Sequence, residues 1–140
     1  MYESWNYMSN YMSNYMGLVD AVIRGNLDEV KRIGRILGYP YKGDMNKDEE
    51  TVIRFAAVCG HLQMLKWLIQ KDTGKKYRTQ YAINVATQHG HLHIVQDLAA
   101  VESVNRAAVV WLGASSGNVH IVKWMFQTYP ELKDMSKTSA

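Results

Sequence analysis

The sequence predicts an all-α fold, a short α-solenoid of four helix-turn-helix repeats with reduced or absent β-hairpins. Two observations carry that reading. The first is a recurring phrase of small residues, a glycine and an apolar run. It reads Ala56-Ala57-Val58-Cys59-Gly60-His61-Leu62-Gln63-Met64-Leu65-Lys66-Trp67-Leu68, and again Ala86-Thr87-Gln88-His89-Gly90-His91-Leu92-His93-Ile94-Val95-Gln96-Asp97-Leu98. A third copy is Ala114-Ser115-Ser116-Gly117-Asn118-Val119-His120-Ile121-Val122-Lys123-Trp124-Met125, and a worn one opens the series at Ala21-Val22-Ile23-Arg24-Gly25-Asn26-Leu27. The second observation is the spacing: Gly25, Gly60, Gly90 and Gly117 lie 35, 30 and 27 residues apart. That is the period of stacked helical repeats. In each copy the glycine supplies the positive φ that ends one helix and reverses the chain. Helix pairs this short bury their apolar faces only by stacking on neighbours.

Residues 1–15 form a Tyr/Met/Ser/Asn-rich segment, either a cap or a disordered tail. Tyr7-Met8-Ser9-Asn10 is followed by Tyr11-Met12-Ser13-Asn14 and Tyr15-Met16. On a helix this period of four places the tyrosines in one stripe with the methionines beside them. Such side chains are enriched in contact surfaces. The repeat array spans residues 16–129. Its first helix is Met16 to Arg24. Asn26 then reads as the N-cap of a second helix, with Asp28 and Glu29 in its first turn. Leu27, Val30, Ile33 and Leu37 share one face of that helix, and Gly38 stops it, reinforced by Pro40.

Tyr39 to Glu50 reads as a loop rich in turn formers and acids. Thr51–Cys59 is the next helix, with Ile53, Ala56 and Ala57 on its buried side. Leu62, Leu65, Leu68 and Ile69 give the inward face of its partner. Lys71 to Thr79 is a second loop, carrying Lys71, Lys75, Lys76 and Arg78 against one acid, Asp72. Helices Gln80–His89 and Leu92–Ala99 follow. The connection Ala100–Asn105 has six residues, too few for an extended hairpin. Asn105–Ser116 and Val119–Thr128 make the last pair, and residues 130–140 are a C-terminal tail expected to fray.

Composition bounds the function. Of 140 residues, 47% are hydrophobic and 21% charged, with a net charge of +3. That is an ordinary soluble composition, and so mild a charge does not by itself argue for nucleic acid. A single cysteine precludes an internal disulfide and suits a reducing, cytoplasmic setting. No apolar run reaches the roughly 18 residues that a membrane span needs.

The chain lacks a nucleophile triad, a phosphate loop and a dinucleotide fingerprint, so it is not expected to be an enzyme, and no cofactor is implied. Cys59 precedes Gly60 at a helix C-terminus, the wrong end for lowering a thiol pKa. His89, His91 and His93, with His61 and His120, raise a zinc reading, but no cysteine joins them within one repeat. The Tyr39–Glu50 loop is acidic (Asp44, Asp48, Glu49, Glu50) and the Lys71–Thr79 loop basic, a pattern suited to steering a charged partner. Four basic residues are a thin footprint for nucleic acid.

The phrase A-A-x-x-G-H-L-x-x-L-K-W-L resembles an ankyrin repeat, most similar to the divergent repeats of large DNA viruses, bacteria and protists. Against the family's T-P-L-H-x-A stands Thr51-Val52-Ile53-Arg54-Phe55-Ala56, which keeps Thr51, Ile53 and Ala56. Tyr81-Ala82-Ile83-Asn84-Val85-Ala86 and Ala108-Val109-Val110-Trp111-Leu112-Gly113 keep only the apolar positions. The family's A-D-V-N segment is missing, which puts its β-hairpins in doubt. The resemblance gives Gly25, Gly60, His61, Gly90, His91 and Gly117 structural roles, and so weighs against a metal at the histidines. It implies a protein-binding module that masks or recruits a partner, with an effector or counter-defence inhibitor of a virus or bacterium as one analogy. The family's concave face maps onto Arg54, Val58, Asn84, Gln88, Trp111 and Ser115, flanked by loops holding Tyr39 and Tyr41 and Lys75, Lys76, Tyr77 and Arg78. Trp111 stands at the motif's histidine position and is the natural hot spot. Two other readings stay open: an anionic ligand (a nucleotide, a signalling molecule or RNA) at Lys75–Arg78, and self-assembly through residues 1–16.

Overall fold

A computed structural model describes residues 2–38, 47–70 and 75–134. Among these the chain is all-α, with no strand. The helices are α1 (Tyr2–Arg24), α2 (Leu27–Leu37), α3 (Lys47–Val58), α4 (Leu62–Gln70), α5 (Lys75–Gln88), α6 (Leu92–Leu98), α7 (Arg106–Ser115) and α8 (Val119–Thr128). A 3-10 turn, Pro130–Asp134, follows. The helices group into two compact units, residues 1–74 with α1 to α4 and residues 75–140 with α5 to α8.

One turn is built four times. At each glycine φ lies between 73° and 77°: Gly25, Gly60, Gly90 and Gly117. The residue after it donates its backbone N–H five residues back: Asn26 to Ala21 (2.9 Å), His61 to Ala56 (3.0 Å), His91 to Ala86 (2.9 Å) and Asn118 to Gly113 (2.8 Å). The glycine N–H itself reaches the carbonyl three residues back, at 3.0 to 3.2 Å. This is the Schellman closure, which satisfies carbonyls that a helix end would otherwise orphan. The acceptor of each long bond is a small buried residue, Ala21, Ala56, Ala86 or Gly113. A Cβ on Gly113 would stand 3.1 Å from Val122 Cγ2, so the last repeat packs its two helices tightly enough that alanine there would push Val122 aside by a few tenths of an ångström.

In the first unit α1 packs on α2 and α3, and α3 on α4. Leu18, Val22, Val30, Ile53, Leu65 and Leu68 are sealed from solvent there. Asn26 caps α2, accepting the Glu29 N–H at 3.2 Å, and Gly38 closes it with φ 74°. In the second unit α5 packs on α6 and α7, and α8 on α6, α7 and the 3-10 turn. Ile83, Ile94, Val109, Ile121 and Met125 form its core. Asn105 caps α7, accepting the Ala108 N–H at 3.1 Å, while its own N–H donates to Gln80 Oε1 at 2.6 Å. The short connection between α6 and α7 is thus pinned to α5.

Four expectations change. The first helix, expected to start at Met16, starts at Tyr2 and takes in residues 2–15, so α1 runs unbroken from Tyr2 to Arg24. Asp48, Glu49 and Glu50 belong to α3, which starts at Lys47. The basic loop ends earlier than expected, because α5 starts at Lys75 and takes in Lys75, Lys76, Tyr77 and Arg78. A charged run read as loop is also a good helix start once the helix behind it is anchored. Residues 130–134, expected to fray, form the 3-10 turn on α8.

Candidate functional site

Counting back from each turn glycine gives two presented positions per repeat. Six residues before the glycine stand Val19, Arg54, Asn84 and Trp111; two residues before it stand Ile23, Val58, Gln88 and Ser115. These pairs lie one helical turn apart on α1, α3, α5 and α7, so each helix offers one short row. In the second unit α5 and α7, which carry two of these rows, are neighbours. Gln88 and Ser115 are exposed and Asn84 is half-buried, held by Gln80 Nε2 at 2.9 Å. Trp111 stands out, with 70% of its surface in solvent. In the first unit Arg54 is exposed and Val58 half-buried on α3.

At Gly60 and Gly117 the residue after the glycine is a clasp onto the preceding repeat. His61 Nε2–H donates to the Ile23 carbonyl at 3.0 Å. Asn118 Nδ2–H donates to the Thr87 carbonyl at 2.6 Å and reaches the Gln88 carbonyl at 3.2 Å. Ile23 and Gln88 occupy the same repeat position, so a histidine and an asparagine satisfy the same free carbonyl of a helix C-terminus. His120 Nε2–H adds a bond to the Gly90 carbonyl at 3.1 Å. The His91 ring lies edge-on to His93 at 5.8 Å. Among the described residues no group of His, Cys, Asp or Glu is placed to hold a metal ion.

Other candidates move. Arg78 is fully buried, so it is not part of an exposed basic loop. Lys75, Lys76 and Tyr77 lie in the first turn of α5. Tyr39 and Tyr41 fall outside the described residues. Trp67 and Trp124 are half-buried, as packing residues should be, and Lys123 is exposed. Trp124 meets the Tyr129 ring edge-on at 6.1 Å, and the Arg106 guanidinium lies 4.2 Å from that ring's centre. Arg106 also donates to the Ala99 carbonyl at 2.8 Å. This cluster braces the end of the second unit.

Sequence reasoning missed a feature of the first unit. Tyr15, Met16, Val19, Asp20 and Ile23 of α1, with Thr51 and Phe55 of α3, line an open depression of about 340 Å³. Met12, Met16 and Ile23 are 53%, 66% and 45% exposed. Asp20, on its rim, pairs with Arg24 at 2.9 Å. The signal was there: Val19 and Ile23 hold the presented positions of the first repeat, and both are apolar.

A family model for ankyrin repeats, in three copies, matches residues 18–108. The chain belongs to the ankyrin repeat family. An ankyrin repeat protein of Acanthamoeba polyphaga mimivirus is 26% identical over 98 residues. That stretch is 67% of this chain but 17% of the viral protein, so the chain spans about a sixth of that relative's length. No solved structure matches the chain. The helix pair α7 and α8 carries the turn beyond the matched segment, since Gly117 has φ 75° and repeats the closing bonds of the other three. Ankyrin repeats are in general protein-interaction modules. No helix among the described residues is long and apolar enough to cross a membrane.

Proposed function

We propose that this chain binds a partner protein through the presented rows of its first helices, and masks or recruits that partner by occupying its surface. The observation behind this is Trp111, an indole 70% exposed on α7 of a well-packed unit. A large rigid aromatic held in solvent is the usual anchor of a binding surface. Gln88 and Ser115 supply adaptable polar contacts around it, and α5 and α7 give it a fixed base; the first unit carries its own row at Arg54 and Val58. The mimiviral relative supports a viral setting, and with it an effector or inhibitor acting inside a host cell on a host protein. The role is binding rather than catalysis. Self-association through residues 1–16 is a second reading, favoured by the exposure of Met12 and Met16.

Affinity capture from cells of the natural host tests the first reading. Wild type should enrich one protein that Trp111→Ala loses, with both variants equally folded by circular dichroism. Retention of the same partner by Trp111→Ala refutes it. Release by salt together with Lys75→Glu and Lys76→Glu, but not by Trp111→Ala, would instead assign an anionic ligand.

A further inference from the structure

We infer that the outer edge of the fourth repeat, formed by Val110 and Ala114 of α7 with Val122 and Phe126 of α8, stacks one further helix-pair repeat supplied by a different protein. The surface is separate from the row around Trp111, and the inference stands whether or not that row binds. In the third repeat the positions seven and three residues before the turn glycine, and five and nine after it, have no exposed surface: Ile83, Thr87, Val95 and Ala99. There α5 packs on α7 and α6 on α8, and a Cβ on Gly113 would stand 3.6 Å from Thr87 Cγ2. The same four positions are buried in the first and second repeats. In the fourth they open: Ala114 is exposed, and Val110, Val122 and Phe126 are half-buried. Val119, two residues past the glycine, is 58% exposed, where Leu27, Leu62 and Leu92 are half-buried. A repeat that ends an array normally turns a polar face outward. This edge has none at the four positions and is written as an interior one.

The turn shows the same difference. A Cβ on Gly90 would stand 3.1 Å from Asn118 Oδ1 and 3.7 Å from His120 Cε1, whereas one on Gly117 meets nothing within 4 Å. Asn118 and His120 donate to the carbonyls of Thr87, Gln88 and Gly90. The counterparts of Gln88 and Gly90 in the fourth repeat, Ser115 and Gly117, receive no such side-chain clasp among the described residues. Two carbonyls at a helix end thus flank an apolar edge, in the arrangement that a following repeat completes once already in this unit.

The clasp and the charges select the occupant. The segment after α8 does not supply it: Pro130–Asp134 packs back on α8, and the Tyr129 ring is held by Trp124 at 6.1 Å and Arg106 at 4.2 Å. A second copy does not supply it either. Four residues past the glycine stand Met64, Ile94 and Ile121, all buried, but in the first repeat Glu29 stands there, ion-paired with Arg32 at 2.6 Å. Stacking the first repeat of another copy on this edge would bring that pair against apolar side chains, and desolvating an ion pair can cost more than its attraction returns. The fourth repeat of another copy already engages Asn118 and His120 on its own third repeat. What fits is a repeat with an uncommitted amide or imidazole donor just after its glycine and an apolar residue four past it.

The probe is an array of consensus ankyrin repeats that keeps a polar C-terminal cap and has none at its N-terminus. Its first repeat then offers Gly-His and, four residues past the glycine, an isoleucine. Binding of the full chain is read by sedimentation and amide hydrogen exchange at up to about 500 µM. Wild type should bind, with exchange slowed across residues 110–126. Ala114→Glu, at an exposed position, should weaken binding about tenfold or more while keeping the wild-type helical signal. Val119→Glu, in the first turn of α8 where an acid suits the helix, is the second variant and should do the same. Replacing the probe's clasp histidine by alanine should also weaken binding, and the same array with a polar N-terminal cap should not bind. No binding by wild type, binding indifferent to both glutamate variants, or equal binding of the capped array each overturns the stacking edge. Loss with Trp111→Ala alone assigns the probe to the presented row and overturns the edge, while leaving the proposed function standing. Self-association of wild type above 16.0 kDa that Ala114→Glu abolishes makes a second copy the occupant and overturns the choice of partner.

Discussion

The first and second units use the same scaffold to present opposite chemistry. Both close their turns with a glycine near φ 75° and a bond five residues back to a small buried residue. Both tie the turn to the preceding helix end, by His61 in the first unit and by Asn118 in the second. At the presented positions they part. The first repeat shows Val19 and Ile23 beside exposed Met12 and Met16, whereas the second unit shows Asn84, Gln88 and Ser115 around one exposed tryptophan. Positions set by the fold's geometry vary little from repeat to repeat, and positions that face outward vary freely. On the proposed reading, function in this chain resides in what the rows present, while the turns supply rigidity.

Changes to the scaffold should cost most. Leu65→Ala in the first unit and Ile94→Ala in the second each remove a side chain with no exposed surface. Each should lower stability by about 2–5 kcal/mol, read by denaturant unfolding. Equal losses would support two equivalently packed units, and a loss confined to one would break the equivalence.

A smaller and sharper comparison sets Gly25 against Gly117. Their φ values are 73° and 75°, but a Cβ on Gly25 would lie 2.8 Å from His61 Cε1, whereas one on Gly117 meets nothing within 4 Å. Gly117→Ala should cost only the left-handed strain, about 1–2 kcal/mol. Gly25→Ala should cost about 1 kcal/mol more, as His61 is pushed off the Ile23 carbonyl. The excess should vanish in a His61→Ala background. An equal cost at both glycines would show that the clasp adds nothing.

The smallest effect concerns α2. Arg32 holds the Glu29 carboxyl below the ordinary carboxylate range by hydrogen bonds of 2.6 and 3.0 Å, with lesser Coulombic help from Arg32 and Arg24. A depressed carboxylate stabilises the fold above its unfolded pKa and loses that contribution as pH falls through the folded value. The wild-type advantage over Glu29→Gln should thus be slight at neutral pH and disappear on acidification. Melting temperature against pH reads it, and a gap that widens in acid would contradict the assignment.

The repeats were legible in the sequence because each turn needs a glycine and a small residue at fixed offsets, and four copies made the pattern visible. Asn26 and Gly38 were legible for the same reason, since caps are written in one or two residues. The start of α5 was not. Lys75 to Arg78 is a charged run whose helical state depends on packing behind it, and full burial of Arg78 has no signature in a single sequence. The length of α1 was hidden by serines and asparagines of modest helix propensity. Of the presented rows, Trp111 could be singled out because it replaces a histidine in the motif. The apolar depression between α1 and α3 needed the two helices side by side.

The central claim, that the presented rows rather than the scaffold carry function, is tested most directly on one set of samples. Wild type, Trp111→Ala and Lys123→Ala would be compared for melting temperature and for capture of the partner that wild type enriches. Lys123 is exposed on α8, away from the row. All three should melt together, within about 0.5 kcal/mol of stability, with the partner lost from Trp111→Ala alone. Capture by Trp111→Ala at the wild-type level, or a loss that simply tracks a fall in its melting temperature, would contradict the account.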